Sequence, residues 1–279
     1  MRLEFLIKYT GYVYHLQETL MYWLRRRLYS QNFFANRELI RKLIRGSSIT
    51  PKDTVLEIGA GSGFITRELA KAAGKVIALE IDSRLASRIP KLKNVIPVCQ
   101  SITDFPLPGP PYKVFSNIPF SKTADIIRKL LQSPRPPEES YLIVQAEAAD
   151  KFTLGQVSNT MSALLYYPWW EINITHRFDR RDFHPIPKVD SVLLRICHRQ
   201  KPLVSNTQQI RYYDFIAHNF VYSSQSKFVP PVEWLIRFNK IKNQTYSGAY
   251  AKLLKYQQKL KKIHRSRSEK NWKMFKNNI

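Results

Sequence analysis

The segment Val55–Gly63 combines residues that can bind a small molecule with a spacing that narrows down which one. It ends a predicted buried strand and opens a predicted helix, and its glycines follow the pattern GxGxG from Gly59 to Gly63. Glycine lets a backbone approach a ligand closely, and the first amides of a helix are free to donate hydrogen bonds. The dinucleotide pattern GxGxxG has its third glycine where this chain has Phe64, so we expect a different ligand.

Two carboxylates flank the glycines and indicate the charge of that ligand. Glu57 precedes the glycines, and Glu80 ends the next predicted strand, 21 residues after Gly59. A carboxylate beside the glycines suits an ammonium better than a pyrophosphate, and one at the second strand end can accept hydrogen bonds from ribose hydroxyls. A nucleoside with an ammonium and no phosphate is S-adenosylmethionine, which we predict as cofactor. The alternative is a strand–turn–helix junction that binds nothing.

The segment Ser116–Phe120, with the sequence SNIPF, suggests the reaction. An adenine amine is a poor nucleophile because its lone pair is delocalised into the ring. The side-chain oxygen of Asn117 and a main-chain carbonyl near Ile118 can accept both amine hydrogens and so turn the lone pair towards a methyl donor. Phe120 can stack on an extruded adenine. Taken alone, the segment is equally typical of a β-turn followed by a core phenylalanine.

The hydrophobic pattern predicts a scaffold on which these strand ends meet. Strands and helices alternate, which indicates a mainly parallel sheet with helices on both faces. Asn36 is expected to cap the first helix, and Gly46 to end it. The predicted strands are Thr54–Ile58, Lys75–Ile81, Val95–Val98, Tyr112–Phe115, Ser140–Val144, Trp169–His176 and Asp190–Cys197. The later predicted helices are Phe64–Ala73, Ser83–Ile89, Thr123–Leu131, Ile210–Tyr222, Pro231–Asn239 and Tyr246–Ile263.

The charge of the chain predicts a polyanionic partner. Its 279 residues include 45 Lys and Arg but 21 Asp and Glu, a net charge of +24. More than half of this excess lies in residues 199–279, which hold 17 basic and 3 acidic residues, so nucleic-acid binding is favoured over a merely solvated tail. The apolar stretch Leu3–Leu28 is interrupted by charges, so no membrane span is expected. Cys99 and Cys197 are too few for a disulfide scaffold and are expected to be reduced.

Five motifs occur in order along the chain and carry a resemblance to a known family. They are Gln31–Phe34, Glu57–Gly63, Glu80–Asp82, Asn117–Phe120 and Phe183–Ser191. Through them, residues 25–198 resemble the rRNA adenine N6-dimethyltransferases, the group that includes the Erm and KsgA enzymes. The first, fourth and fifth motifs are more similar to the Erm type. That resemblance implies methylation of one adenine in 23S rRNA and resistance to macrolides, lincosamides and streptogramin B.

The resemblance also implies a role for each matching residue. Gln31, Asn32 and Phe34 would cover the methionine end of S-adenosylmethionine, and Glu57, Gly59, Gly61 and Gly63 would line it. Glu80 would hold the ribose, and Asn117 would contact the methionine end and the target amine. Asn117 and Ile118 would act on the amine, while Phe120 and Phe183 would sandwich the adenine. For Phe183, a place in the hydrophobic core is an equally good interpretation.

One position departs from the family pattern. The family has an Asp after the fourth strand, where it accepts a hydrogen bond from the adenine of the cofactor, and this chain has Ser101. A hydroxyl also accepts a hydrogen bond but carries no charge, so we expect somewhat weaker binding, on the order of 1 kcal/mol. Asp104 is three residues away and is a possible substitute, although its side chain is expected to point elsewhere.

The resulting prediction is an α/β fold, with a Rossmann-like class I methyltransferase sheet followed by a small C-terminal helical domain. Residues 25–198 would form the methyltransferase domain and residues 199–279 a basic helical RNA-binding domain. In the latter, Lys252, Lys255, Lys259 and Lys262 would share one helical face. The role of residues 1–24 is left open. We expect a cytoplasmic monomer that binds ribosomal RNA, with 23S rRNA favoured, and neither a membrane nor a metal ion.

Two alternatives stay open at this point. The first is a KsgA-type enzyme that methylates adenines of small-subunit rRNA during ribosome assembly. The second is a catalytically silent nucleic-acid-binding factor on the same fold, an interpretation supported by Ser101 and opposed by Glu57, Gly59, Glu80 and Asn117. The motifs do not identify the target adenine, and they do not show whether one or two methyl groups are added.

Overall fold

The computed structural model describes residues 33–34, 36–155, 158–222, 226–241 and 246–260. Gln31, Asn32, residues 1–24 and the predicted end of the last helix at Lys262 and Ile263 lie outside these ranges. The contacts between residues divide the chain into two compact units. One comprises the chain up to Ala149 together with Asn173–Cys197, and the other comprises Asp150–Ile172 and the chain from His198 onward. Asp150–Ile172 therefore belongs to the second unit, whereas the sequence analysis placed these residues within the domain of residues 25–198.

The strands confirm the predicted sheet. They are β1 (Phe33–Phe34), β2 (Thr54–Ile58), β3 (Lys75–Glu80), β4 (Val95–Cys99), β5 (Lys113–Asn117), β6 (Glu139–Gln145), β7 (Trp170–Arg177), β8 (Phe183–His184) and β9 (Ser191–His198). Within the described residues, seven of them form one sheet of order β4-β3-β2-β5-β6-β9-β7. The pairs from β4 to β6 are parallel, and β9 is antiparallel to β6. The strand order reverses between β2 and β5, where open α/β sheets bind ligands.

The helices follow their predicted positions closely. They are α1 (Arg37–Arg45), α2 (Phe64–Ala72), α3 (Ser83–Ala86), α4 (Thr123–Leu131), α5 (Ala146–Asp150), α6 (Met161–Tyr166), α7 (Gln209–Tyr222), α8 (Pro231–Lys240) and α9, which spans residues 249–260. The Asn36 side chain accepts a hydrogen bond from the Leu39 amide at 3.1 Å, and Gly46 ends α1, as predicted. The short helices α5 and α6 were not predicted.

Helix α3 is shorter than the sequence predicted. It ends at Ala86, whereas the pattern predicted a helix to Ile89. Asp82 caps it by accepting hydrogen bonds from the amides of Arg84 and Leu85. Pro90 prevents the helix from reaching Ile89, because a proline disfavours helical geometry in the residue before it.

A small two-stranded sheet joins two of the sequence motifs. β1 pairs antiparallel with β8, so that Phe33 lies opposite His184 and Phe34 opposite Phe183. The rings of Phe34, Phe178 and Phe183 pack edge to face, with centroids 4.8–5.5 Å apart. The sequence did not predict this pairing, because strands of two residues show no hydrophobic period.

The second unit is helical and rich in aromatic residues. Its core contains Trp169, Tyr212, Tyr213, Phe215, Trp234 and Phe238. The carboxylate of Asp214 accepts hydrogen bonds from the amides of Gly248 at 3.0 Å and Tyr250 at 2.9 Å, which satisfies donors at the start of α9. In the part of the chain that the structure describes, no helix has the length and apolarity needed to cross a membrane.

Candidate active site

A cavity of about 250 Å³ lies at the carboxyl ends of β2, β3 and β5. Because neighbouring parallel strands end at the same edge of a sheet, residues far apart in sequence meet there. The predicted site residues that line it are Phe34, Glu57, Gly59, Gly61, Glu80, Ser101, Asn117, Ile118 and Phe120. Gly63 and Phe183, also predicted, do not line it. Gln31 and Asn32 lie outside the described residues.

The glycine loop takes the conformation that its sequence allows. Gly59 and Gly61 have φ angles of 75° and 59°, in the left-handed region that side chains disfavour. The amides of Gly59 and Ala60 donate to the Leu79 carbonyl at 2.7 and 3.0 Å, so the loop is anchored on β3. Its backbone can therefore present a fixed surface to a ligand.

Gly63 serves a packing role and does not line the cavity. Its φ angle is 83°, and a Cβ atom at this position would lie 2.3 Å from Cδ of Pro90. The third glycine thus permits close approach between the start of α2 and the segment after α3. Contact of Gly63 with a cofactor was predicted, and this position gives no support for it.

Glu80 is tied to three backbone amides. Its Oε2 atom accepts from Gly61 at 2.8 Å, and its Oε1 atom accepts from Ile81 at 2.9 Å and Asp82 at 3.0 Å. A carboxylate offers about four lone pairs, so it can still accept a ribose hydroxyl. Glu80 therefore shapes the glycine loop in addition to lining the cavity.

Glu57 is a buried acid whose protonation depends on its surroundings. It is 1% exposed, and Oε2 accepts a hydrogen bond from the Thr66 hydroxyl at 2.6 Å. Burial, reinforced by the Glu80 carboxylate and opposed by Thr66, raises the pKa of Glu57 to about 8. The acid is therefore mostly neutral at pH 7 without a ligand. An ammonium beside it would stabilise the charged form, which fits the methionine end of S-adenosylmethionine.

The end of β5 carries the second motif and touches the glycine loop. A Cβ atom placed on Gly59 would lie 3.5 Å from Cδ of Pro119, so the two motifs are close neighbours where they line the cavity. The Ile118 amide donates to the Ile143 carbonyl at 3.3 Å, and the Lys122 amide donates to the Pro119 carbonyl at 2.9 Å. These bonds fix the turn that presents Asn117 to the cavity.

Ser116 holds the two motifs together and was not predicted to do so. Its hydroxyl accepts from the Ile58 amide at 3.1 Å and donates to the Ile58 carbonyl. The β2–β5 ladder itself stops at Leu56 and Val114, so this side chain bridges the strands where their backbones separate. The only sequence signal for this role was the presence of a serine directly before Asn117.

The two predicted stacking rings lie in different environments. Phe120 is half-buried and lines the cavity, which is where a ring that stacks on the target base would have to lie. Phe183 is 1% exposed and packs on Phe34 and Phe178. This is the core position that the sequence offered as the alternative, and Phe183 could stack on an adenine only after a rearrangement.

Ser101 lines the cavity, and Asp104 does not. The Ser101 hydroxyl lies 2.7 Å from the Thr103 hydroxyl in a local turn. Asp104 is exposed and borders a separate surface depression with Lys129. Asp104 is therefore not placed to replace the missing carboxylate. This agrees with the expectation that its side chain points elsewhere.

Comparison with known proteins agrees with this geometry. A family model described as ribosomal RNA adenine dimethylase matches residues 24–228. An rRNA methyltransferase of Streptomyces thermotolerans is 36% identical over 200 residues, which cover 70% of this chain and 67% of the relative. An rRNA adenine N-6-methyltransferase of Bacillus licheniformis is 32% identical over 187 residues, 65% of each protein. The matches thus span about two thirds of these relatives' own length.

One further relative and one solved structure bear on the type of enzyme. A ribosomal RNA small subunit methyltransferase A of Streptococcus sanguinis is 28% identical over 213 residues, 71% of this chain and 73% of the relative. The crystal structure of the 23S rRNA methyltransferase ErmE superposes with a TM-score of 0.68 at 26% identity. The superposition covers 75% of this chain and 98% of the ErmE chain.

Proposed function

Because the chain belongs to the ribosomal RNA adenine dimethylase family, we propose that it transfers methyl groups from S-adenosylmethionine to the N6 amine of an adenine in 23S rRNA. Family membership confirms the predicted class of enzyme, a methyltransferase, and the predicted cofactor. The 23S target and the positions of the bound groups are proposals.

The observation that carries the proposal is that the two motifs line one cavity together. Gly59 and Pro119 both line this cavity, so a cofactor that occupies the glycine loop would have its reactive end beside Asn117. In that arrangement Glu57 faces the ammonium, Glu80 the ribose, and Ser101 with Ile102 the adenine of the cofactor. The buried Glu57, neutral until a cation arrives, fits the ammonium in particular.

The residues around Asn117 would prepare the target amine. When bound, S-adenosylmethionine supplies an electrophilic methyl group. The Asn117 side-chain oxygen and the Ile118 carbonyl accept the two amine hydrogens and direct the lone pair at that methyl group. Phe120 stacks on the base and keeps the amine in the plane of these acceptors. No general base is needed for attack, because the amine is neutral and loses its proton afterwards.

Two findings favour 23S rRNA over other RNAs. The sequence motifs are more similar to the Erm type, and the chain superposes on the 23S rRNA methyltransferase ErmE over 98% of that protein. Methylation of 23S rRNA by such an enzyme would give resistance to macrolides, lincosamides and streptogramin B. We expect the protein to act as a monomer in the cytoplasm, where ribosomes are assembled.

The second unit offers a surface suited to RNA backbone. On α9, Lys252, Lys255 and Lys259 are exposed, and Tyr256, which is 60% exposed, lies on the same face. Leu253 and Leu254 are half-buried on the opposite side. Lysines can neutralise phosphates, and an exposed tyrosine between them can stack on an unpaired base. This supports the predicted role of residues 199–279 in RNA binding.

The 28% identity to a small-subunit methyltransferase keeps the KsgA-type enzyme as the second candidate. The presence of Glu57, Glu80, two of the three glycines and Asn117 around one cavity weighs against a silent binding factor. The deciding experiment is methyl transfer from labelled S-adenosylmethionine to protein-free 23S rRNA, 16S rRNA and immature small subunits, with mapping of the modified base. We expect label on one 23S adenine. Label confined to the small subunit would establish the second candidate, and label on none of them would contradict both.

A further inference from the structure

Lys129 makes three hydrogen bonds to a single loop at the edge of the cavity. It lies on α4, the helix that follows the Asn117–Phe120 motif. Its Nζ atom donates to the carbonyls of Ile102 at 2.5 Å, Thr103 at 2.9 Å and Phe105 at 2.7 Å. A lysine ammonium has three donor hydrogens, so one side chain satisfies all three carbonyls.

The loop that Lys129 holds forms one wall of the cavity. The amides of Asp104 and Phe105 donate to the Ser101 carbonyl at 3.1 and 2.9 Å, which closes a single turn. Such a turn leaves its later carbonyls without donors from its own backbone, and here Lys129 supplies them. Ser101 and Ile102, at the start of the turn, line the cavity, whereas Lys129 does not.

The charge of Lys129 is partly shielded from water. The side chain is half-buried, and burial lowers its pKa while nearby Asp104 raises it. The three carbonyls therefore replace hydration of the ammonium, and its charge strengthens each bond. Removing the ammonium would leave three carbonyls in need of water and would loosen the turn.

We propose that Lys129 is a positioning residue that holds the Ser101–Phe105 turn against the adenine end of S-adenosylmethionine. This inference rests on the proposed placement of the cofactor in the cavity and deepens it. The turn carries Ser101 where the family has Asp, so its position has to be maintained without a charged contact to the adenine. Lys129 also links this wall physically to the helix behind Asn117 and Phe120.

The test is Lys129→Met, which keeps the apolar stem and removes the three donors. We expect the Kd for S-adenosylmethionine to rise about tenfold, and that for 5′-methylthioadenosine, the nucleoside half, to rise equally. At saturating cofactor, kcat and the KM for RNA should stay within about twofold of wild type, because neither the catalytic residues nor the RNA surface is changed. Arg128→Met removes a charge from the adjacent position, where Arg128 pairs with Asp125 at 3.4 Å, and should bind both probes like wild type.

Lys129→Arg provides a second variant if the Met variant does not fold. A planar guanidinium cannot direct its donors at three converging carbonyls as an ammonium does, so we expect an intermediate Kd. The proposal is overturned if Lys129→Met binds both probes like Arg128→Met. It is also overturned if S-adenosylmethionine alone is affected, or if kcat falls in parallel. The two Kd values are measured without RNA, so an error in the proposed RNA substrate would affect only the kinetic comparison and not the binding result.

Discussion

The Glu80 carboxylate accepts a hydrogen bond from the Gly61 amide at 2.8 Å, so the end of β3 holds the glycine loop that follows β2. The same carboxylate accepts the amides of Ile81 and Asp82. Glu80, which the sequence analysis expected to bind ribose, therefore also stabilises the conformation of the glycine loop.

Replacement Glu80→Gln tests this double role. The new NH₂ group cannot accept a hydrogen bond, so at least one amide loses its partner and all lose the charge. We expect cofactor affinity to fall about 10–100-fold, as for the loss of one or two charge-assisted bonds. Titration calorimetry measures this, with the exposed Glu38→Gln as control. Unchanged affinity in Glu80→Gln would refute both roles.

Glu57→Gln should change the pH dependence of stability. The folded protein without ligand holds a proton on Glu57 up to about pH 8, whereas the unfolded chain releases it near pH 4.5. Stability is therefore lost as pH rises through this window, and the neutral Gln removes the loss. Relative to wild type, the variant should gain about 4 kcal/mol more unfolding free energy at pH 8 than at pH 4.5. Urea unfolding at both pH values measures the difference, and an equal gain at both would contradict the raised pKa.

Asn117→Ala should remove methyl transfer and leave RNA binding nearly unchanged. The side chain supplies an acceptor needed as the amine reacts, and such groups are typically worth about a hundredfold or more in kcat. Single-turnover methylation and filter binding separate the two quantities. Asn206→Ala, an exposed asparagine outside the cavity, serves as control. If RNA affinity fell together with activity, Asn117 would have a binding role and not a catalytic one.

Ser101→Asp should tighten cofactor binding. The position lines the cavity and would regain the charged acceptor that the family uses, worth on the order of 1 kcal/mol, or about fivefold in Kd. Asp104→Asn should have little effect, because Asp104 faces a different depression. Weaker binding in Ser101→Asp would show that the adenine does not approach this position.

A triple variant of Lys252, Lys255 and Lys259 to Gln should weaken RNA binding and reduce its salt dependence. Each phosphate that a lysine no longer neutralises lowers the slope of log K against log salt by about 0.7–0.9, so three should lower it by about 2–3. The Kd for S-adenosylmethionine should not change. The control is a second triple variant, in which the exposed residues Arg45, Lys52 and Lys75 of the first unit are replaced by Gln, so that an equal charge is removed. Equal salt slopes in the two variants would contradict a specific role for α9.

The features that the sequence determined are those governed by local chemistry. Periodicity and capping residues located the main helices, since a cap such as Asn36 acts within three residues. The parallel sheet followed from the alternation of strands and helices. The binding role of Glu57 and the glycines could be predicted because residues close in sequence also lie close in space at a strand–turn–helix junction.

The tertiary structure decided everything that depends on distant backbone. The burial of Phe183 follows from the pairing of β1 with β8, and the bridge from Ser116 to Ile58 follows from two strands that separate. The bonds of Lys129 to carbonyls about 25 residues earlier left no periodic trace in the sequence. Such contacts are set by where elements pack and not by spacing along the chain, so only the folded protein reveals them.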